Sequence, residues 1–307
     1  MFKIIKKPFS LLQNGVLTFF YKLKLKFFYY QSFNLFKNYP AKPKIVGLEL
    51  TKKTLMGEKG ELIFLPNDVY LTWSLMKHGE IKYPISKIIK RNLQKNRKYT
   101  FIDIGANTGL LSREININNK NVERIICVEP VKKTFECLEK NSLNFRKKLL
   151  FNFGLGEKDS IEKIFIDNSN HGNSSLSKEM MELSKYKNYE TENIKIKSVS
   201  SFFRKIKDEI KGKSLIIKID VQSYDELIFS LIPEEVISQT DLLCFELTRK
   251  QYLNLPKISL QKFRKNTKAF NKAWSEKLGT ISTSKLIDVT YGNEKIKDIE
   301  TDIYLTK

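Results

Sequence analysis

The sequence predicts a doubly wound α/β fold, a mostly parallel sheet with helices on both faces, from three observations. Phe101-Ile-Asp-Ile-Gly-Ala-Asn-Thr-Gly-Leu-Leu111 reads as an apolar strand that breaks at a glycine turn and opens a helix. Arg124-Ile-Ile-Cys-Val-Glu-Pro130 repeats the pattern, with four apolar residues, an acid and a proline that stops the strand. Further apolar runs at 149–153, 214–220 and 241–247 alternate with helical spacing, the order expected of parallel strands joined by crossover helices.

Along the chain, residues 1–44 read as a basic, aromatic N-terminal extension, and residues 45–307 as the α/β domain. Residues 1–48 hold nine lysines and no acid, with Phe19-Phe-Tyr21 and Phe27-Phe-Tyr-Tyr30 among them. Phe9, Leu12, Val16, Phe20, Leu23, Phe27 and Tyr30 fall near helical spacing, which predicts a basic amphipathic helix. Pro40-Ala-Lys-Pro43 is a stiff linker. Residues 45–65 predict two short strands around a turn at 57–60. Asn67-Asp68 cap a helix to about Lys77, and 85–93 form another. Residues 131–144 are helical, 149–153 a third buried strand and 161–166 a further strand. The polar loop Asp167-Asn-Ser-Asn-His-Gly-Asn-Ser-Ser175 follows, a composition that suits a cover over a pocket or a solvated surface. Ser200-Ser201 starts a helix, 214–220 is a strand, 225–231 a helix interrupted by Pro233, and 241–247 a strand. Residues 257–278 read as mostly helical, and 286–291 with 302–305 as an antiparallel closing pair.

A length of 307 residues with 41% hydrophobic content suits one large α/β domain with a modest extension. Cys127, Cys137 and Cys244 are widely spaced within apolar patterns and read as buried thiols in a reducing compartment. Only two histidines, His78 and His171, are present, so a His-rich metal site is excluded and no metal is predicted. No apolar run approaches the roughly 18–20 residues that span a bilayer, and no secretory signal is predicted. The formal charge of +21 comes from 55 Lys+Arg against 34 Asp+Glu and is concentrated at the front. The front segment, residues 1–38, suits an anionic membrane face, packing on the domain, or nucleic acid. Lysine rather than arginine excess argues against nucleic acid. The expected location is cytoplasmic, peripheral at the membrane.

The chemistry starts at the glycine turn. A dinucleotide fingerprint fails because Asn107 and Leu110 stand where it needs glycines, and a P-loop fails because no lysine follows Gly109. Asp103-x-Gly105-x-Asn107-x-Gly109 instead joins an acid to a polar turn, which suits a ligand carrying an ammonium group better than a pyrophosphate. S-adenosylmethionine is a ligand of that kind. Glu129 follows Asp103 at close to the roughly 20-residue spacing at which a second-strand carboxylate accepts a ribose diol. Either acid alone also reads as a cap or a solvated carboxylate; the two together favour the ligand.

These blocks resemble the FkbM-type methyltransferases, within the class I S-adenosylmethionine-dependent methyltransferases. The resemblance is carried by Phe101–Gly109, Cys127-Val-Glu-Pro130, Asn152-Phe-Gly-Leu-Gly-Glu157, Gly172-Asn-Ser-Ser-Leu176, Ile217-Lys-Ile-Asp-Val221 and Phe245-Glu-Leu247, in that order over roughly residues 60–248. It implies a Rossmann-like, seven-stranded sheet with an antiparallel closing strand. It also implies a donor site of Asp103, Gly105, Asn107, Gly109, Glu129 and Gly154, and O-methylation of a hydroxyl on a sugar, glycan or related natural product. The family's usual continuation after Lys-Ile-Asp-Val is Glu-Gly and a further acid, whereas this chain has Gln222-Ser223-Tyr224-Asp225-Glu226. That departure keeps open a catalytically weakened scaffold of the same fold.

Asp220 ends a strand beside the turn strand and is a candidate general base, a metal ligand with Glu246, or a cap on the following helix. His171 is the second candidate base because its free pKa lies near neutrality, or a loop histidine with no role. An RNA methyltransferase is supported by net charge alone. The chain lacks an Asn-Pro-Pro-Tyr signature and a cysteine in a loop suited to attack a pyrimidine ring.

Overall fold

The two runs that anchor the sequence reading become neighbouring parallel strands, β3 (Tyr99–Ile104) and β4 (Val122–Val128), paired Phe101 to Ile125 and Ile104 to Val128. The structure is a computed structural model, and it describes residues 44–46, 62–64, 84–94, 96–167, 170–178, 181, 189–247, 260–286 and 301–307. The amphipathic N-terminal helix, the stiff linker and the helix expected at 67–77 lie outside these residues. Short strands β1 (Lys44–Val46) and β2 (Leu62–Phe64) pair antiparallel, as 45–65 predicts.

Among the described residues the main sheet has eight strands, in the order β12 (Gly279–Ile281), β11 (Lys272–Ser275), β13 (Thr301–Thr306), β10 (Thr240–Leu247), β9 (Ser214–Ile219), β3, β4 and β5 (Lys148–Phe151). Its parallel part comprises β10 (Thr240–Leu247), β9 (Ser214–Ile219), β3, β4 and β5 (Lys148–Phe151). All six residues of β3 are buried, because helices cover both faces and leave no solvated side. Successive side chains point to opposite faces, so Ile102 and Ile104 enter one core with Ile217 and Ile219, while Tyr99 and Phe101 enter the other with Ile216 and Cys127. Asp103 shares the second face, under helix α2 (Leu110–Asn118). Helix α1 (Pro84–Asn92) precedes β3, and α3 (Lys132–Asn141) follows β4 as read from the sequence.

The C-terminal part corrects the sequence reading. The helix expected over 257–278 is α8 (Leu260–Lys268) followed by strand β11 (Lys272–Ser275). Ala273 and Ser275 point inward while Lys272 and Trp274 point outward, a period of two hidden behind helix-compatible composition. The closing strand β13 (Thr301–Thr306) pairs antiparallel with β10 on one side and β11 on the other. Leu286 closes a helical turn, and 287–291 lie outside the described residues. With β12 (Gly279–Ile281) at the edge, the sheet has one strand more than the seven expected.

A second, three-stranded sheet was only partly foreseen. It joins β6 (Gly154–Gly156), β7 (Ser160–Asp167) and β8 (Tyr189–Ser198), with β8 in the middle. Ile164, Ile166, Ile194 and Ile196 pack with Val131 into a separate small core beside the tip of β4. Helix α4 (Val199–Lys205) begins one residue before the predicted start and is capped by Ser198, whose hydroxyl accepts the Ser201 N–H. Short α5 (Lys207–Ile210) leads into β9. Helix α6 (Asp225–Leu231) follows β9, and α7 (Glu234–Gln239) begins after Pro233.

Candidate active site

The glycine turn ties three strand tips together. The N–H groups of Gly105 and Ala106 donate to the Val128 carbonyl at 2.9 and 3.0 Å, joining the tips of β3 and β4. Gly105 has φ 78, and a Cβ there would lie 1.8 Å from the Asp220 carbonyl oxygen, so the tip of β9 stands in backbone contact with the turn. Asn107 takes φ 51, a left-handed conformation that asparagine tolerates, and its Oδ1 accepts the Thr108 N–H at 2.7 Å. Gly109, φ 78, opens α2, where an added Cβ would meet the Leu138 side chain.

Glu129 stands just beyond the end of β4 and lines the cleft above the turn. Its Oε2 accepts the Asn107 N–H and its Oε1 the Val131 N–H, each at 2.9 Å. Each oxygen keeps a lone pair for a ligand hydroxyl. Burial pushes its pKa up to about 7 against the pull of the two N–H groups. Gly154 lies across the cleft, where a Cβ would press on the Ile196 side chain; the missing side chain keeps this wall thin.

Asp103 sits one layer behind the wall. It is fully buried, accepts the Ser112 hydroxyl at 2.6 Å, and lies 3.3 Å from Lys218 Nζ. The ammonium it meets is therefore the protein's own, not a ligand's. Lys218 Nζ also donates to the Gly105 carbonyl at 2.9 Å and lies 3.2 Å from Asp220 Oδ2. Burial alone lowers the Lys218 pKa, but Asp103 and Asp220 raise it further, so it stays charged.

Asp220 lines the cleft with its side chain 46% exposed, enough for an acceptor to reach. It does not cap α6; Asp225 takes the Val221 N–H at 3.2 Å and the Glu246 N–H at 3.3 Å. Asp225 is buried, with its pKa raised to about 7 by burial and then by Asp220, and lies away from the cleft lining. Glu246 is not in the lining either, and among the described residues no cluster of three His, Cys, Asp or Glu side chains is arranged to hold a metal ion.

Gln222, where the resemblance leads one to expect an acid, is an amide that donates to Asp220 Oδ1 at 3.2 Å, and the Ser175 hydroxyl donates to the Gln222 carbonyl at 3.1 Å. Gln222 and Ser223 both take positive φ, 48 and 79. Serine at the second position carries the strain that glycine avoids, and its buried hydroxyl lacks a hydrogen-bond partner. Ser223→Gly is expected to stabilise the fold by about 1 kcal/mol, read as a higher midpoint in chemical denaturation.

His171 is not an exposed loop residue. It sits in the 3-10 turn His171–Asn173, only 6% exposed, facing the cleft with neither ring nitrogen hydrogen-bonded to protein. Burial, then Lys133, lower its pKa to about 4, so the ring is neutral near pH 7 and offers one donor and one acceptor. Its turn leans on the glycine turn: a Cβ on Gly172 would lie 3.5 Å from Asn107 Nδ2.

Gly105, Asn107, Glu129, Gly154, His171 and Asp220 thus line one cleft. Asp103 and Gly109 support the turn from behind. Sequence reasoning assigned no role to Lys218, although a lysine inside the apolar run Leu215–Ile219 was the available signal. It missed Ile194 and Ile196 as well, legible in the alternation of Asn193-Ile-Lys-Ile-Lys197.

The fold and the site define a Rossmann-like α/β architecture, with a glycine turn on a central strand, a buried glutamate at the tip of the strand on one side, and a carboxylate facing the same cleft from the strand on the other. Residues 103–253 match the family model described as the Methyltransferase FkbM domain. No curated protein matches the chain. Among solved structures it is similar to a methyltransferase FkbM from Methylobacillus flagellatus KT, at 14% identity and TM-score 0.35, covering 78% of this chain and 55% of that one. It is also similar to Aeropyrum pernix fibrillarin with natively bound S-adenosyl-L-methionine, at 10% identity and TM-score 0.36, covering 87% and 88% of the two chains. A SAM-dependent O-methyltransferase from Thermotoga maritima gives 10% identity and TM-score 0.31, covering 83% and 76%.

Proposed function

We propose that this chain is an S-adenosylmethionine-dependent methyltransferase that methylates a hydroxyl on a sugar, glycan or related small molecule. The observation that carries the reading is Glu129, a buried carboxylate facing a cleft, held by two backbone N–H groups and still able to accept a diol. Gly105 and Gly154 leave room beside it, and the unpartnered His171 ring faces the same space. These residues fit a nucleoside-bearing donor. When bound, the donor supplies a methyl group on a sulfonium, open to in-line attack.

Within that reading, Glu129 accepts the donor's ribose hydroxyls and the turn 105–109 cradles the donor. Asp220, oriented by Lys218 and Gln222, accepts the proton of the attacking hydroxyl. The exchange of glutamate for Gln222 leaves Asp220 held by an amide rather than repelled by a second acid, which favours an active enzyme over a scaffold. A histidine with a pKa near 4 is a poor base at neutral pH, so His171 serves here as a hydrogen-bonding group for the bound molecule.

Calorimetric titration with S-adenosylmethionine, followed by transfer of labelled methyl to hydroxylated sugars, glycans and structured RNA, tests this. Donor binding with label on a carbohydrate hydroxyl is expected; label on RNA alone overturns the acceptor reading. His171→Phe is expected to keep or raise the melting temperature, since it removes two unpaired polar atoms, while weakening ligand binding about tenfold in the same titration. No helix among the described residues is long and apolar enough to cross a membrane. The basic residues 1–38 are read as contacting an anionic membrane surface. Flotation with anionic liposomes is expected to retain the full chain and release one starting at Ile45.

A further inference from the structure

We propose that Lys218 is a positioning residue that couples methyl-donor binding to the setting of Asp220, an inference that rests on the donor site proposed above. Its ammonium donates to the Gly105 carbonyl at 2.9 Å and is ion-paired with Asp103 Oδ1 at 3.3 Å and Asp220 Oδ2 at 3.2 Å. These contacts hold the ammonium between three parts of the site, and through them Lys218 acts on its partners.

The three acceptors belong to different parts of the site. Gly105 is in the donor turn. Asp103 is a fixed anchor, fully buried, opposite Lys218 in the parallel ladder and held from its other side by Ser112. Asp220 is the half-exposed acid at the acceptor end. With one contact anchored, the ammonium shares its remaining attraction between the donor turn and Asp220. Little solvent reaches the lysine, whose side chain is 12% exposed, so that sharing is weakly screened.

The two ends also touch without it. The Asp220 N–H donates to the Ile104 carbonyl at 3.0 Å, and the Asp220 carbonyl occupies the space a Gly105 side chain would need. A donor that settles the turn therefore also settles the ammonium, and through it the carboxylate that faces the acceptor.

A double-mutant cycle on donor binding tests this without knowledge of the acceptor. The affinity for S-adenosylmethionine is measured by calorimetry in the wild type, Asp220→Asn, Lys218→Met and the double variant, with melting temperatures alongside. Asp220→Asn is expected to weaken binding about fivefold in the wild type and much less on the Lys218→Met background. A merely structural lysine lowers the melting temperature but leaves the two effects additive, and additivity overturns the proposal. Lys218→Gln, which keeps a donor for the Gly105 carbonyl, runs the same cycle if methionine at this position prevents folding. Absence of binding by the wild type overturns the donor reading itself, whereas binding with additive effects overturns this proposal alone.

Discussion

Gly105→Ala is expected to abolish methyl-donor binding and to destabilise the fold by about 3 kcal/mol or more. Two causes act at one atom. The residue has φ 78, where any L side chain is strained, and its new Cβ would lie 1.8 Å from a backbone oxygen of Asp220. No rotamer relieves a backbone clash, so the tips of β3 and β9 must part. Parting them breaks the Asp220 N–H to Ile104 bond and the Lys218 bond to the Gly105 carbonyl, at the point where the donor approaches. Gly109→Ala is a useful contrast. It has the same φ, but its Cβ would meet the far end of the Leu138 side chain, which can swing aside. Thermal unfolding and donor titration of both variants check the ordering, and a Gly105→Ala protein with wild-type affinity would sink the proposed contact between the two tips.

Glu129→Gln is expected to weaken the donor about a hundredfold or more, because hydrogen bonds to an ionised carboxylate contribute about 1.5–3 kcal/mol each and a diol makes two. The pH dependence carries the sharper signature. The Glu129 pKa is raised from 4.5 to about 7 in the folded state, chiefly by burial. Between those values the folded protein holds a proton that the unfolded chain has released. Stability from this group is therefore greatest at low pH and falls as pH rises from about 4.5 to about 7, by up to about 3 kcal/mol.

Asp225, raised from 3.8 to about 7, adds a slope of the same sign. His171, lowered from 6.5 to about 4, opposes both, because in that window the unfolded chain binds the extra proton. The difference between wild type and Glu129→Gln isolates the first contribution. Donor affinity runs the other way, rising as pH passes through about 7, since hydroxyls donate to the ionised carboxylate. Melting temperatures of the apo protein and donor titrations from pH 5 to 8 check both signs; a donor affinity that is flat across pH 7 removes Glu129 from the ribose.

Much of the fold was legible because its signals are local. A strand buried on both faces must be apolar throughout, and Phe101–Ile104 and Arg124–Val128 announce themselves that way apart from Asp103 and the half-buried Arg124. The edge strands were harder. Lys272–Ser275 has a single buried face and only four residues, and Tyr189–Ser198 alternates charges with Ile194 and Ile196 in a run that composition alone reads as polar. In the candidate site, the turn residues and Glu129 were found by spacing. The exposure of Asp220, the burial of His171 and the three-way role of Lys218 depend on what other segments bring to them.

Asp103 and Glu129 show where the division falls. From sequence they are alike, each an acid near the end of an apolar run, and that order determined which segments form the central sheet and where it opens to a ligand. Ladder register decided between them. Asp103 is still inside its strand, opposite Lys218 and Cys127, so its side chain is pinned against a sheet face beneath α2 and takes the lysine's charge. Glu129 is one residue past the end of its strand, where the chain turns and its carboxylate reaches the N–H groups of Asn107 and Val131 at the mouth of the cleft. A side chain within a pleated ladder has its direction set by its neighbours' hydrogen bonds, and one at the tip is released from them.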